Sequence, residues 1–162
     1  MRVCYLYADS KEESEELMNE AFVRLFKNIS HFNDRRQEVL VSLKSWFKPI
    51  IINACIDRYK KKQSTINGQP FLAESGQLSD HKEAVPDVLL NEEMIEAVRR
   101  LSPGYRIVFN LFVIEGFSHE QIAKKLGVSV NASISNLSKA RENLRKLIET
   151  KLTSTIYVSP RR

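Results

Sequence analysis

Residues 62–87, K-Q-S-T-I-N-G-Q-P-F-L-A-E-S-G-Q-L-S-D-H-K-E-A-V-P-D, carry two glycines and two prolines among polar residues and show no sustained apolar period. Such a run offers no face to a core, so it reads as a linker. A chain of 162 residues interrupted there cannot build one large core. It divides into a first module over 1–62, a linker over 63–87, a second module over 88–152 and a tail over 153–162. Each module is near the size of about 60 residues at which independent folding becomes marginal.

Helical spacing fills both modules. Leu17, Met18, Ala21, Phe22, Leu25, Phe26 and Ile29 predict a helix over 11–29 with one broad apolar face. Ser10 with Glu13 has the pattern of a capping box at its start. Leu43, Trp46, Phe47, Ile50, Ile51, Ala54 and Cys55 predict a second helix running toward Lys61. Pro49 lies inside it, where a proline costs about 3 kcal/mol, so a kink or break is expected.

In the second module, 89–101 and 104–115 read as helices separated by Ser102-Pro103 and ended by Gly116. Ser118 and Gln121 have capping-box spacing, opening a short helix that Gly127 closes. Ser129 starts the last helix, with an expected buried face of Val130, Ile134, Leu137, the Arg141 stem, Leu144 and Ile148. The tail reads as β-prone and disordered. Period-two alternation is missing throughout, so the expected fold class is all-α: two small helical domains joined by a flexible linker.

Charge is zoned along the chain. The net charge of +5 resolves into −2 over 1–31, +5 over 32–62, −6 over 63–98 and +8 over 99–162. Two basic zones on either side of an acidic one suit a polyanionic partner better than the mild total does. The two cysteines, Cys4 and Cys55, are too few for a disulfide framework or a zinc site and read as reduced, buried thiols. The longest apolar runs fall far short of the ~20 residues of a membrane span, and the N-terminus has no signal-peptide pattern, so a cytoplasmic protein with no membrane insertion is expected. His31, His81 and His119 are scattered, and the chain has neither a glycine-rich phosphate loop nor a nucleophile elbow. No enzyme, metal site or cofactor is expected.

A short capped helix, the turn Gly127-Val128-Ser129 and a longer helix from about Val130 form the layout of a helix-turn-helix. Asn131, Ser133, Ser135, Asn136 and Lys139 avoid the expected apolar stripe of the second helix and present amide, hydroxyl and ammonium groups to base edges or phosphates. Lys124, Lys125, Arg141, Arg145 and Lys146 add cations nearby. A helical hairpin with a solvated basic face has the same pattern.

The stretch L-S-P-G-Y-R-I-V-F-N-L-F-V-I-E-G-F-S-H-E-Q-I-A-K-K-L-G-V-S, residues 101–129, resembles region 4 of the bacterial RNA polymerase sigma factors, in their small extracytoplasmic-function group. S-E-E-L-M-N-E-A-F, residues 14–22, is similar to the region 2 helix that docks on the β′ clamp helices of the polymerase. W-F-K-P-I-I-I-N-A-C-I-D-R-Y-K, residues 46–60, resembles the helix that recognises and melts the minus-ten element. The resemblance implies a promoter-specificity subunit whose partners are core RNA polymerase, through the β′ clamp helices and the β flap, promoter DNA and an anti-sigma factor. It implies minus-35 contacts from Ser118, His119, Lys125, Asn131, Ser133, Ser135, Asn136 and Lys139. Lys48, Asn53, Asp57, Arg58, Lys60 and Lys61 become minus-ten contacts, and Glu15, Glu16, Asn19 and Glu20 a polymerase-binding face. The polar ribbon of Asn53, Asp57 and Lys60, and the basic end of that helix, fit single-strand chemistry on their own terms. Trp46 fits either a stacking platform or core packing, and Tyr59 is equally open.

Three departures qualify the resemblance. M-R-V-C-Y-L-Y-A-D-S matches only the last turns of an earlier family helix, so region 2 reads as incomplete at its N-terminus, with an upstream start or self-association covering Val3 and Leu6. Residues 33–45 are longer than the family's loop, so base specificity does not transfer there. Ile134 stands where the family often has a cation. The competing readings are a stand-alone helix-turn-helix regulator acting as a dimer, and an interaction protein that occupies polymerase without opening DNA.

Overall fold

The computed structural model describes residues 2–32, 39–67 and 92–157. The chain separates into two compact units, Met1–Pro70 and Phe71–Arg162, and the described residues are helices and turns with no strand.

In the first unit α1 (Arg2–Tyr7), α2 (Lys11–Lys27) and α3 (Val39–Asn67) pack mutually. Half of the expected capping box opens α2: the Glu13 amide donates to Ser10 Oγ at 3.1 Å, while the Glu13 carboxylate accepts from the Asp9 amide at 2.7 Å, and Glu12 and Glu13 sit at the positive end of the helix dipole. Asn28 ends the helix, its side-chain amide donating to the Arg24 carbonyl, and a 3₁₀ turn, Ile29–His31, follows. Cys4, Ala8, Leu17, Ala21, Ile51, Ala54 and Cys55 form the core, with Met18 and Phe47 at its edge. Both cysteines are buried free thiols, and the bond Cys4 makes with Cys55 holds its pKa below the ordinary thiol value. Small residues at three core positions let the helices approach closely.

Three expectations for this unit change. The apolar face of α2 is buried only along Leu17, Ala21 and Leu25; Phe22, Phe26 and Ile29 are exposed. No break falls at Pro49, because α3 is helical on both sides of it. Pro49 and Ser45, whose carbonyl loses its donor, are both exposed, so water can replace the missing bond. The helix also runs on to Asn67, past residue 62 where the linker was expected to begin.

The second unit contains α4 (Glu92–Arg99), α5 (Pro103–Phe109), α6 (His119–Leu126) and α7 (Val130–Tyr157). Pro103 is in the first turn of α5, where its missing N–H is harmless. A π-helical turn, Asn110–Ile114, extends α5, with the Glu115 amide bonded to the Asn110 carbonyl at 3.0 Å. Gly116 then turns the chain with φ +75°. α4, α5 and α6 all pack on α7, around Val98, Val108, Leu111, Ile122, Leu137, Ala140 and Leu144. Burying a leucine- or isoleucine-sized side chain is worth about 2 kcal/mol, so these contacts dominate the small unit.

α7 keeps part of its predicted buried face, Leu137 and Leu144 being 4% and 5% exposed, and departs from the rest. Ser133 and Asn136, expected on the surface, are 0% and 2% exposed, whereas Val130 and Ile148, expected inside, are 36% and 38% exposed. The buried stripe is therefore Ser133, Asn136, Leu137, Ala140 and Leu144. Small side chains along it admit a close crossing of α6. The expected tail is helical from residue 153 to Tyr157, and residues 158–162 and most of the linker lie outside the described residues.

Candidate functional site

Two polar surfaces emerge, one on each unit. In the second, Ser118 caps α6: its hydroxyl accepts from the Gln121 amide and the Gln121 side chain accepts from the Ser118 amide at 2.9 Å, a complete capping box. Gly127 ends α6 in the left-handed conformation, φ 72° and ψ 35°. Ser129 starts α7, its hydroxyl accepting from the Ala132 amide at 3.0 Å. The turn is thus fixed at both ends by local hydrogen bonds.

Around it, Ser118 and Asn131 are exposed, and Ser135 and Lys139 half-exposed. Lys125 lies with its ammonium 4.9 Å above the Phe117 ring, which holds a cation beside the turn. Lys124 and Arg145 are exposed as well, while Lys146 is paired with Glu142 at 2.6 Å. Ser133 and Asn136 face the interior and are corrected: they cannot reach a base edge from this packing. His119 is half-buried, with Nδ1 2.9 Å from Ser133 Oγ and its ring stacked on Phe112 at 4.4 Å. Burial lowers its pKa, with Glu120 opposing and Arg141 adding to the shift.

In the first unit an ion-pair seam joins α2 to α3. Arg24 reaches Asp57 at 2.6 Å and Glu20 at 2.7 Å; Arg58 reaches Glu16 at 3.0 Å and Glu20 at 3.6 Å. Lys62 reaches Asp9 at 2.8 Å and also pairs with Glu13. The bond to Asp57 raises the Arg24 pKa, and the bond to Glu16 raises that of Arg58. Burial pulls the Lys62 pKa down, but its pairing with Asp9 and Glu13 outweighs this and the net shift is upward.

Four residues assigned outward roles also pair with one another or with Arg24 at the surface of the module: Glu16 and Glu20 from the polymerase-binding set, Asp57 and Arg58 from the minus-ten set. Glu15 and Asn19 are exposed on α2, and Lys48, Asn53, Lys60 and Lys61 on α3. Trp46 is half-buried against Phe32, ring centroids 5.3 Å apart. Burial pushes the Tyr59 hydroxyl up to about 12.

Sequence reasoning missed the seam and the apolar strip beside it. A signal existed for the seam: Glu13, Glu16, Glu20 and Arg24 step by three or four and so share one face of α2. In the strip of Phe22, Val23 and Phe26, at 42%, 52% and 66% exposure, the two phenylalanines were hidden within a face taken to be buried.

A capped helix-turn-helix with an exposed polar and basic rim is the layout of a DNA-binding module. Residues 1–65 match the family described as Sigma-70 region 2, and residues 91–144 match Sigma-70, region 4. The chain is 26% identical to the ECF RNA polymerase sigma factor SigW of Bacillus subtilis, over 90% of this chain and 80% of that protein. It is 22% identical to the ECF RNA polymerase sigma factor SigE of Mycolicibacterium smegmatis, over 89% of this chain but only 55% of that one. Its fold is similar to that of the sigma factor RpoE of Bartonella quintana, solved with the anti-sigma factor NepR, at TM-score 0.52 and 19% identity over 91% of this chain and 89% of that one. The chain belongs to the sigma-70 family, in its extracytoplasmic-function group of RNA polymerase sigma factors. No helix among the described residues is long and apolar enough to cross a membrane.

Proposed function

We propose that this chain binds core RNA polymerase and directs promoter-specific initiation, its second unit reading minus-35 duplex and its first capturing the melted minus-ten strand. The observation that carries the reading is the occurrence of region 2 and region 4 matches in order on one chain, the latter centred on a fully capped helix-turn-helix. Catalysis belongs to the polymerase.

Within that reading the duplex contacts are Ser118, Lys125, Asn131, Ser135 and Lys139. Lysines there neutralise phosphates, and the amide and hydroxyl groups meet base edges. Lys48, Asn53, Lys60 and Lys61 line the single-strand surface, where cations attract the phosphates of an extruded strand. Glu15 and Asn19, with the neighbouring apolar strip of Phe22, Val23 and Phe26, form the polymerase-docking surface; exposed apolar clusters with a polar rim mark protein interfaces. An anti-sigma factor, the kind of partner bound to the Bartonella relative, is the restraint we extend to this chain.

Run-off transcription with purified core polymerase on a library of promoter fragments tests the reading. Discrete, chain-dependent transcripts are expected. Duplex binding without any such transcripts, and without retention on an isolated β′ clamp-helix fragment, returns the chain to a stand-alone regulator.

A further inference from the structure

His119 and Ser133 belong to the two helices of the helix-turn-helix and lie 14 residues apart, with Nδ1 and Oγ separated by 2.9 Å. Ser133 is fully buried, so it cannot itself touch DNA. On its other side the imidazole stacks on Phe112, 4.4 Å between centroids and 24° between planes, and Phe112 comes from the π-helical turn after α5. Arg141 of α7 reaches over the same phenyl ring, 6.0 Å from its centroid. One ring thus ties three elements together at the N-terminal turn of α7. Asn131 and Ser135 are two residues either side of Ser133, so the rotation of α7 at Ser133 determines where both of them point.

We propose that His119 is a positioning residue for promoter recognition: through Ser133 it fixes the rotation of α7 about its axis and so aims Asn131 and Ser135 at the duplex. The inference rests on the minus-35 role proposed above. It replaces the direct DNA contact first assigned to His119 with an action through a buried partner. The charged groups facing the imidazole are Glu120 from α6 and Arg141 from α7, while the π-helical turn contributes the uncharged Phe112.

The test uses the full chain assembled with core RNA polymerase and a duplex selected by that complex from a random-sequence library, with a scrambled duplex as the non-specific probe. Ser133→Ala removes the hydrogen bond at a site hidden from DNA. His119→Phe removes it while keeping the stack on Phe112, and His119→Asn puts an amide near the position of Nδ1. Ser133→Ala and His119→Phe are each expected to weaken specific binding roughly fivefold, the equilibrium effect of one hydrogen bond. The double variant should be no weaker than either single one, and His119→Asn should recover most of the loss. Scrambled-duplex affinity and the salt dependence of binding should not move, because no phosphate contact is lost. Circular dichroism at the binding temperature confirms that each variant is folded.

If His119→Phe loses affinity and Ser133→Ala does not, His119 touches DNA directly and the proposal is wrong. Equal losses on selected and scrambled duplex, in folded protein, also overturn it. Failure of the wild-type polymerase complex to select any duplex removes the minus-35 reading itself, an outcome distinct from normal selection with an unaffected Ser133→Ala variant.

Discussion

Arg24 on α2 and Asp57 on α3 meet at 2.6 Å across 33 residues of sequence, and the same guanidinium holds Glu20 at 2.7 Å. Arg24 is one-third exposed and Asp57 more than half, so solvent screens the pair and the seam is a fastening rather than the source of the fold. Arg24→Ala is expected to destabilise the first unit by about 1 kcal/mol at low salt, partly by leaving Glu20 and Asp57 without their shared cation, and by less in high salt. Urea unfolding followed by the fluorescence of Trp46, the chain's sole tryptophan, reports on that unit alone.

Lys62 sets an alkaline limit on the same seam. Its folded pKa is raised, so its contribution to stability is complete below the unfolded lysine value of about 10.4 and is lost as pH rises through the folded one. The first unit should hold its stability through neutral pH and lose part of it in this alkaline window. Lys62→Met should flatten that limb of the Trp46 unfolding midpoint against pH.

The seam also separates two kinds of polar residue on α2. Glu15→Ala and Asn19→Ala should weaken binding to core polymerase with little change in unfolding midpoint, since both are exposed. Glu16→Ala removes a partner of Arg58 and should lower the midpoint first. A fluorescence-polarisation titration of labelled chain with core polymerase, set beside urea melts of each variant, checks this; equal loss of binding in all three variants with unchanged stability contradicts it.

Local signals in the sequence were the reliable ones. Ser10 as an N-cap, Ser118 and Gln121, Pro103, Gly116 and Gly127 act within a turn or two of themselves, and each is found where its chemistry places it. The rotation of α7 was not legible, because hydrophobicity alone put Ser133 outside, and its partner His119 is on another helix. The ion pairs of Glu16, Glu20, Asp57 and Arg58 were not legible for the same reason: the partner of a charge on one helix is unknown until the facing helix is known. The break that Pro49 allowed did not form, since the cost of a proline depends on whether water reaches the orphaned carbonyl.

His119 gives the second unit an acid-sensitive limb. Burial lowers its folded pKa, so the unfolded chain takes up the proton first, near pH 6.5. The stability contributed by the neutral ring is present above that value and lost as pH falls through it toward the folded pKa. The thermal midpoint of the second unit should decline as pH falls below the unfolded histidine value of about 6.5. His119→Phe should remove that decline, and a midpoint as steeply pH-dependent in the variant as in the wild type counts against it.

Gly127 fixes the turn through its backbone alone. At φ +72° an L-residue is strained, yet a Cβ built there meets nothing within 4 Å, so substitution carries conformational strain without a clash. Gly127→Ala should therefore cost about 1–2 kcal/mol in the second unit. Gly127→Asn should cost less, because its side chain hydrogen-bonds locally in the left-handed conformation. Ser118→Ala, at the opposite end of α6, should cost about 1 kcal/mol by leaving the Gln121 amide without its acceptor. Thermal melts followed by circular dichroism should rank the wild type highest, the Gly127→Asn variant next and the Gly127→Ala variant below it. If alanine and asparagine prove equally costly, something other than backbone conformation fixes the turn.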